Sequence, residues 1–460
     1  MKKTTKRFLS LFLVLVFSLS MVSCGEKKTE KEETTDKEGT PSFSELKLGE
    51  DYTDLSADIK FLSHRTDLQD TVFQDYIKQF NELYPNIKIT YETTTTYSDD
   101  MPTRLTTDDW GDICMLPTSV DKNEFPDLFV SFGDKETLDQ TYDFLNDKSY
   151  QGQVYGIPSV ANVQGIVYNK KVFEAAGITE MPKTPDEFLD ALQKIKDNTE
   201  AIPMYSNFAA AWTMGAWDAY LGGSATGDPD FMNNKLVHSS NPFSKKDDMT
   251  GPYAVYYVLY EAVSRGLIED DPTTTDWEGC KGMINRGEIG TMVLGSWAVV
   301  QMQDAGDNAD DIGYMPFPIS VGGKQYASAA PDYCYAINSK ISTDEQIASM
   351  LYIKWLTEKS NFAFDQGGVP IVKGSQLPAV LDAFDGVELV VDNPAPEGEE
   401  SLFNELNRES EVGINTDNTP DCLILENALN GTATLDEVMD EWNQKWSDAQ
   451  SSLGIEVTEE

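Results

Sequence analysis

The side chains best suited to chemistry are unevenly supplied in this chain. Its 460 residues include two histidines, five cysteines, eight tryptophans and 78 aspartates and glutamates. The histidines, His64 and His238, lie far apart, which supports neither a His-based metal site nor a Ser-His-Asp relay. Four of the cysteines, Cys114, Cys280, Cys334 and Cys422, are widely spaced and form no CxxC pair, so the zinc pattern is missing. Two disulfides or free thiols both fit that spacing; Cys114, inside the apolar stretch ICML, reads as a buried thiol. The stretch DNADDIG has the look of a calcium loop, but Ala309 stands where the second ligand after Asp307 belongs. No metal and no cofactor is implied.

The carboxylates are so many that chance pairs are cheap. A pair ~5–10 Å apart could hydrolyse a glycoside, and a secreted carbohydrate-active enzyme with paired carboxylates is the rival reading, but no local motif selects the pair. Against 35 lysines and arginines the formal charge is −43. Such a surface repels nucleic acid and anionic headgroups, and no basic patch with interleaved aromatics offsets it. Nucleic acid is not an expected partner.

Aromatic and polar residues at strand ends suggest binding instead. Trp297 follows the apolar run GTMVL and a Gly-Ser turn, where a flat indole could meet the CH face of a sugar ring; the plain alternative is a core tryptophan. Trp212, in FAAAWTMGAW, is a second candidate, with Trp217 read as packing. Trp442 and Trp446 share one helix face with Val438 and also read as packing. Arg65 and Asp67, in SHRTD, end the first strand, and Asp332 precedes YCYAI. A carboxylate such as Asp332 can accept two sugar hydroxyls in charge-assisted bonds. A helix cap, a surface charge and a turn residue are the structural alternatives for these three.

These side chains must be held by regular elements. ADIKFLSHRTD opens as a strand; TVFQDYIKQFNELYP has Phe73, Ile77, Phe80 and Tyr84 at helical spacing and ends at Pro85; NIKITYE alternates as a strand; and WGDICMLP supplies another. Strand, helix, strand, helix, strand predicts an α/β unit with a parallel sheet. Three later helices carry capping boxes, at Thr184 with Glu187, Ser342 with Glu345 and Thr434 with Glu437. YGIPSVANVQGIVYN, GEIGTMVLGSW, DIGYMPFP and DYCYAINS are strand-like.

The N-terminus carries Lys2, Lys3, Lys6 and Arg7, then apolar residues over 8–22 broken only by serines. That is an export signal, residues 1–23, rather than the ~20 apolar residues of a membrane span. Met21-Val22-Ser23-Cys24 resembles a bacterial lipobox, which implies lipidation of Cys24. The string GEKKTEKEETTDKEGTPSFSEL cannot bury enough surface to fold, so residues 24–53 are expected to be a lipidated anchor and flexible linker.

From Tyr155-Gly156-Ile157-Pro158 through Gly165, Tyr168-Asn169-Lys170, Phe173, Gly177 and the Pro-Lys-Thr helix start, the chain resembles the carbohydrate-type extracellular solute-binding proteins of ABC importers. FNELYPNIKI, GEIGTMVLGSW and YAINSK followed by YIKWLTEKS extend the likeness in order over residues 55–375. The resemblance implies a two-lobed α/β fold, each lobe a mainly parallel sheet flanked by helices, joined by hinge strands at YGIPS and DYCYAI. The expected lobes are residues 54–160 with 333–385, and 161–332 with 386–460. It implies a monomeric, non-enzymatic receptor on the extracellular face of the cell membrane. Its partners would be a carbohydrate in the interlobe cleft, the subunits of a permease, and the membrane through its anchor. It places the loop of Arg65 and Asp67 on sugar hydroxyls, Asn162 among cleft residues and Asp332 at the hinge return, beside Trp297 and Trp212.

Overall fold

A computed structural model describes residues 39–458 except 118, 416 and 417. Cys24 and the export signal lie outside the described residues. Two larger sheets, of five and six strands, organise the described residues, with a small three-stranded sheet formed within residues 133–154.

In the first, strand Ala57–Ser63 runs parallel to Ile87–Thr93, with Phe61 opposite Tyr91, and parallel to Ile113–Leu116 on its other side. Helix Val72–Asn81 makes the crossover and buries Phe73, Tyr76 and Phe80. Tyr76 takes the inward place expected of Ile77, and Tyr84 is buried just beyond the helix end. Cys334–Ile337 then returns antiparallel to Ile113–Leu116 and pairs with the edge strand Ile157–Pro158. Helix Thr343–Glu358, closed by the full Ser342–Glu345 capping box, covers this sheet; its Tyr352 hydroxyl meets that of Tyr91 at 2.7 Å.

The second sheet is built on Ala161–Asn169. This strand is antiparallel to Ile289–Gly295 on one side, and to Ile312–Pro316 and Tyr326–Pro331 on the other. Parallel pairs, Ile202–Met204 and Glu388–Val390, occur only outside that centre among the described strands. The second sheet is therefore mixed, not mainly parallel as expected, because its central strand arrives from the other lobe and runs against its neighbours. The last long helix, Leu435–Leu453, starts at the Thr434–Glu437 capping box and buries Trp442 and Trp446 against Phe243, with ring centroids 5.6 and 5.5 Å apart. At Thr184 only half of the expected box forms: Glu187 receives the Lys183 amide instead of closing on Thr184.

Two expected boundaries are corrected. Residues 39–53 belong to the first lobe rather than to a linker, because Phe43 and Leu46 enter its core. Phe43 packs edge-on to Phe132 at 5.4 Å, and its amide bonds the Phe132 carbonyl. Residues 379–385 sit on the second sheet rather than the first, because Phe384 stacks on Tyr314 at 5.1 Å and shares its core with Leu381.

The chain crosses between the sheets at residues 159–160, 332–333 and 374–378, the last lying between Lys373, whose amide bonds Thr141, and Leu381; residues 366–369 pass alongside the first two crossings. The Ser159 amide donates to Tyr333, the Asp332 amide to Val160, and Ala161 and Val369 exchange both backbone bonds. Gly368 is needed there: a Cβ would lie 2.1 Å from Val160 Cγ2 and 2.9 Å from the Ala161 carbonyl. Cys114, Cys280 and Cys334 are free, buried thiols, and burial raises the pKa of each.

Candidate functional site

Three helix starts converge beside the second sheet. Trp212, Trp277 and Trp297 are each the first residue of a helix: Trp212–Gly215, Trp277–Asn285 and Trp297–Asp304. Trp212 lies 5.0 Å from Trp277 and 5.7 Å from Trp297, and the latter two are 5.7 Å apart, all between ring centroids. Trp212 is 48% exposed; Trp277 and Trp297 are half-buried. The sequence places Trp297 at a strand end, and it does follow Ile289–Gly295 directly. Gly295 permits the fold-back, since a Cβ there would meet the Trp297 indole nitrogen at 2.7 Å.

Trp212 is held by an unusual turn. Asn207 and Ala211 both have positive φ, and Ala211 at φ 58°, ψ −58° occupies a conformation that costs an L residue ~1–3 kcal/mol. The turn is tied down by Thr213 to the Asn207 carbonyl at 2.8 Å and by the Ala209 amide to Thr275 at 2.8 Å. Ser206 bonds the buried Glu269 through both its amide and its hydroxyl. Burial raises the Glu269 pKa, against the opposing effect of those bonds. Thr275 and the Asp276 cap lead straight into Trp277, so the two indoles share one support.

Facing this cluster, the first lobe presents the end of strand Ala57–Ser63. Arg65 forks onto Asp67, with Nε to Oδ1 at 2.9 Å and Nη2 to Oδ2 at 2.6 Å, and Nη2 also donates to Gln366 at 2.6 Å. Burial pushes the Asp67 pKa up, but Arg65 and the more distant Lys281 outweigh it and hold the carboxyl below its usual value. Lys281 belongs to the opposite lobe, where it sits 4.8 Å over the Trp277 ring. A crevice of about 510 Å³ runs between Arg65, Asp67 and Gln366 on one side and Glu278, Lys281 and Asp304 on the other. Arg65 and Gln366 also line a smaller cavity of about 30 Å³ with His64, Ser159, Trp297 and Asp332. The crevice is within the ~300–1,000 Å³ usual for ligand sites and the cavity is far below it.

Of the residues singled out from sequence, Arg65, Trp297 and Asp332 therefore share one cavity. Asp67 lines the adjoining crevice, and Trp212 joins through the tryptophan cluster. Asn162 lines neither; it is buried at the chain crossing with its Oδ1 unbonded. Sequence reasoning missed Trp277, His64, Lys281 and Gln366. Trp277 carried a usable signal, because like Trp297 it follows a turn and opens a helix.

A family model described as bacterial extracellular solute-binding protein matches residues 66–361. The chain belongs to this family. A manno-oligosaccharide-specific solute-binding protein from Bifidobacterium animalis subsp. lactis, solved with mannotriose, is 49% identical. It superposes with a TM-score of 0.87 over 90% of this chain and 99% of the other. A second binding protein of an ABC transporter from the same organism, solved with mannobiose, is 48% identical with the same TM-score and coverage. The multiple sugar-binding protein of Streptococcus mutans is 25% identical over 331 residues, 69% of this chain and 75% of that one. The two-lobed α/β architecture is that of this family of solute-binding proteins, and the relatives just named are binding proteins rather than enzymes.

In a solute-binding protein the arrangement has a clear chemical meaning. The indoles supply apolar faces, while Arg65, Asp67, Lys281, Gln366 and Asp332 supply donors and acceptors around them. Flat apolar area rimmed by fixed polar groups suits a ligand that is apolar on its ring faces and hydroxylated at its edge.

Proposed function

We propose that this protein is the lipid-anchored receptor of an ABC importer and captures short manno-oligosaccharides between its lobes. The observation that carries the reading is the cluster of Trp212, Trp277 and Trp297, whose Trp297 lines the small interlobe cavity with Arg65 and Gln366, two residues that also border the polar crevice. The near-half identity to proteins solved with mannotriose and mannobiose supports the choice of sugar. Trp212 and Trp297 stack on sugar rings, Asp332, Arg65 and Asp67 take hydroxyls, and Asn162 acts from the crossing beneath them.

The 30 Å³ cavity is too small for a sugar ring, so entry requires the lobes to part. Residues 159–160, 332–333 and 374–378 are the hinge, in a motion common to two-lobed receptors. The ligand shifts this equilibrium only by its differential affinity for the closed form. Cys24 carries the lipid, residues 24–38 act as the tether, and the monomer passes its cargo to the permease at the extracellular face.

Calorimetry with mannobiose, mannotriose, maltotriose and raffinose tests the ligand. Tight binding confined to the mannosides is expected, and failure of both mannosides to bind overturns the proposal. Recovery of unchanged mannotriose after prolonged incubation separates a receptor from the rival glycoside hydrolase. Cys24→Ala should abolish partition into the detergent phase; retention there after normal processing would refute the anchor.

A further inference from the structure

The His64 imidazole stands beside the interlobe cavity with one ring nitrogen unbonded. It follows strand Ala57–Ser63, lies against the Tyr333 ring with centroids 4.4 Å apart, and meets Tyr97 edge-on at 6.1 Å. Its Nδ1 is sealed from solvent without a hydrogen-bond partner. Nε2 is not sealed in this way, and the side chain lines the small cavity with Ser159, Trp297 and Asp332.

Burial lowers the His64 pKa to about 4; Asp332 and Asp67 oppose the shift and Arg65 adds to it. The ring is thus neutral at physiological pH and carries one N–H and one bare nitrogen. A buried N–H without a partner is rarer and costlier than an under-used acceptor. The proton therefore belongs on Nε2, and the sealed Nδ1 keeps its lone pair. Next to it, Asp332 is fixed by the Tyr333 amide, which donates to Oδ1 at 2.7 Å; Oδ2 is left for another partner.

We propose that His64 is a specificity-determining residue: it donates Nε2–H to a hydroxyl of the bound sugar whose own proton is taken by Asp332. The inference rests on the sugar-binding reading above. One hydroxyl would be held as acceptor and donor at once, so a deoxy or O-methyl analogue leaves a buried group unpaired. Sites built to bond a hydroxyl reject analogues lacking it far more strongly than apolar pockets reject a missing methylene.

The test uses the full chain with mannobiose as probe. Nitrogen NMR of the imidazole should report the Nε2–H tautomer in the free protein and a shift of that resonance on adding mannobiose. His64→Phe retains a ring against Tyr333 but no donor; affinity should fall at least about tenfold, with little change in melting. Trp212→Ala, run in parallel, reports on the sugar-binding reading itself. Unchanged affinity in His64→Phe alongside weakened Trp212→Ala overturns the role of His64 and leaves that reading standing. Failure of the unmodified protein to bind mannobiose overturns both. If His64→Phe does not fold, an Nδ1–H tautomer, or no response of the imidazole to mannobiose, still overturns the inference.

Discussion

Trp212→Ala separates binding from folding better than any other change in the cleft. A tryptophan side chain carries up to roughly 250 Å² of surface. At 48% exposure, roughly 120 Å² of it is open to a ligand. A sugar face covering half of that removes ~60 Å² from water, or ~1.5 kcal/mol at ~25 cal/mol/Å². This corresponds to about a tenfold loss of affinity, with about 3 kcal/mol the ceiling if the whole exposed face is covered. The truncation also removes two ring contacts, to Trp277 and Trp297, each contributing ~0.5–1.5 kcal/mol to folding. Both effects are readable on one sample, by calorimetry with mannotriose well below the melting temperature and by melting without ligand. Trp442→Ala is the matched control, since Trp442 is 3% exposed and packs on Phe243 in a core that includes none of the crevice residues. It should lower melting and leave affinity intact. A Trp212→Ala protein with lowered melting and unchanged affinity would refute the stacking argument.

Other substitutions probe the supports of the site. Ala211→Gly should leave melting unchanged or raise it, by relieving a conformation costing ~1–3 kcal/mol, while Ala211→Val should lower it; a melting drop in the glycine variant would show that the turn is unstrained. Gly368→Ala should destabilise by ~1–3 kcal/mol through overpacking, since its Cβ would collide with Val160, and denaturant unfolding measures this. For His238, burial lowers the pKa, but its bonds to Glu399 and the Glu456 carbonyl prevail and raise it above the usual value. Its stabilising contribution is therefore complete below the unfolded value near 6.5 and is lost as pH rises through the higher folded value. Melting of the native protein should decline across that window relative to His238→Gln; parallel curves would count against it.

Much of the first lobe was legible because its signals are local. The alternating residues of NIKITYE, the apolar ICML and the helix spacing of Phe73 and Phe80 each specify an element from a few neighbours. The capping boxes at Ser342 and Thr434 work in the same way, since the cap and its partner are three residues apart. The linker was misjudged over residues 39–53 because its composition is polar overall, and two buried residues, Phe43 and Leu46, are enough to dock it.

The sequence by itself determined the order of elements, the strongly acidic surface and the family likeness, all of which depend on neighbouring residues or on ordered motifs. Only the tertiary structure decided which side chains meet. Trp212, Trp277 and Trp297 are separated by up to 85 positions yet touch, and Arg65 reaches Gln366 across 301 positions. The direction of the central strand Ala161–Asn169 was likewise invisible, because strand pairing is set by where the chain enters the sheet rather than by its alternation. Periodicity reports which face of an element is apolar; what that face meets depends on chain crossings and close approaches such as that at Gly368, where packing between distant segments leaves no local trace.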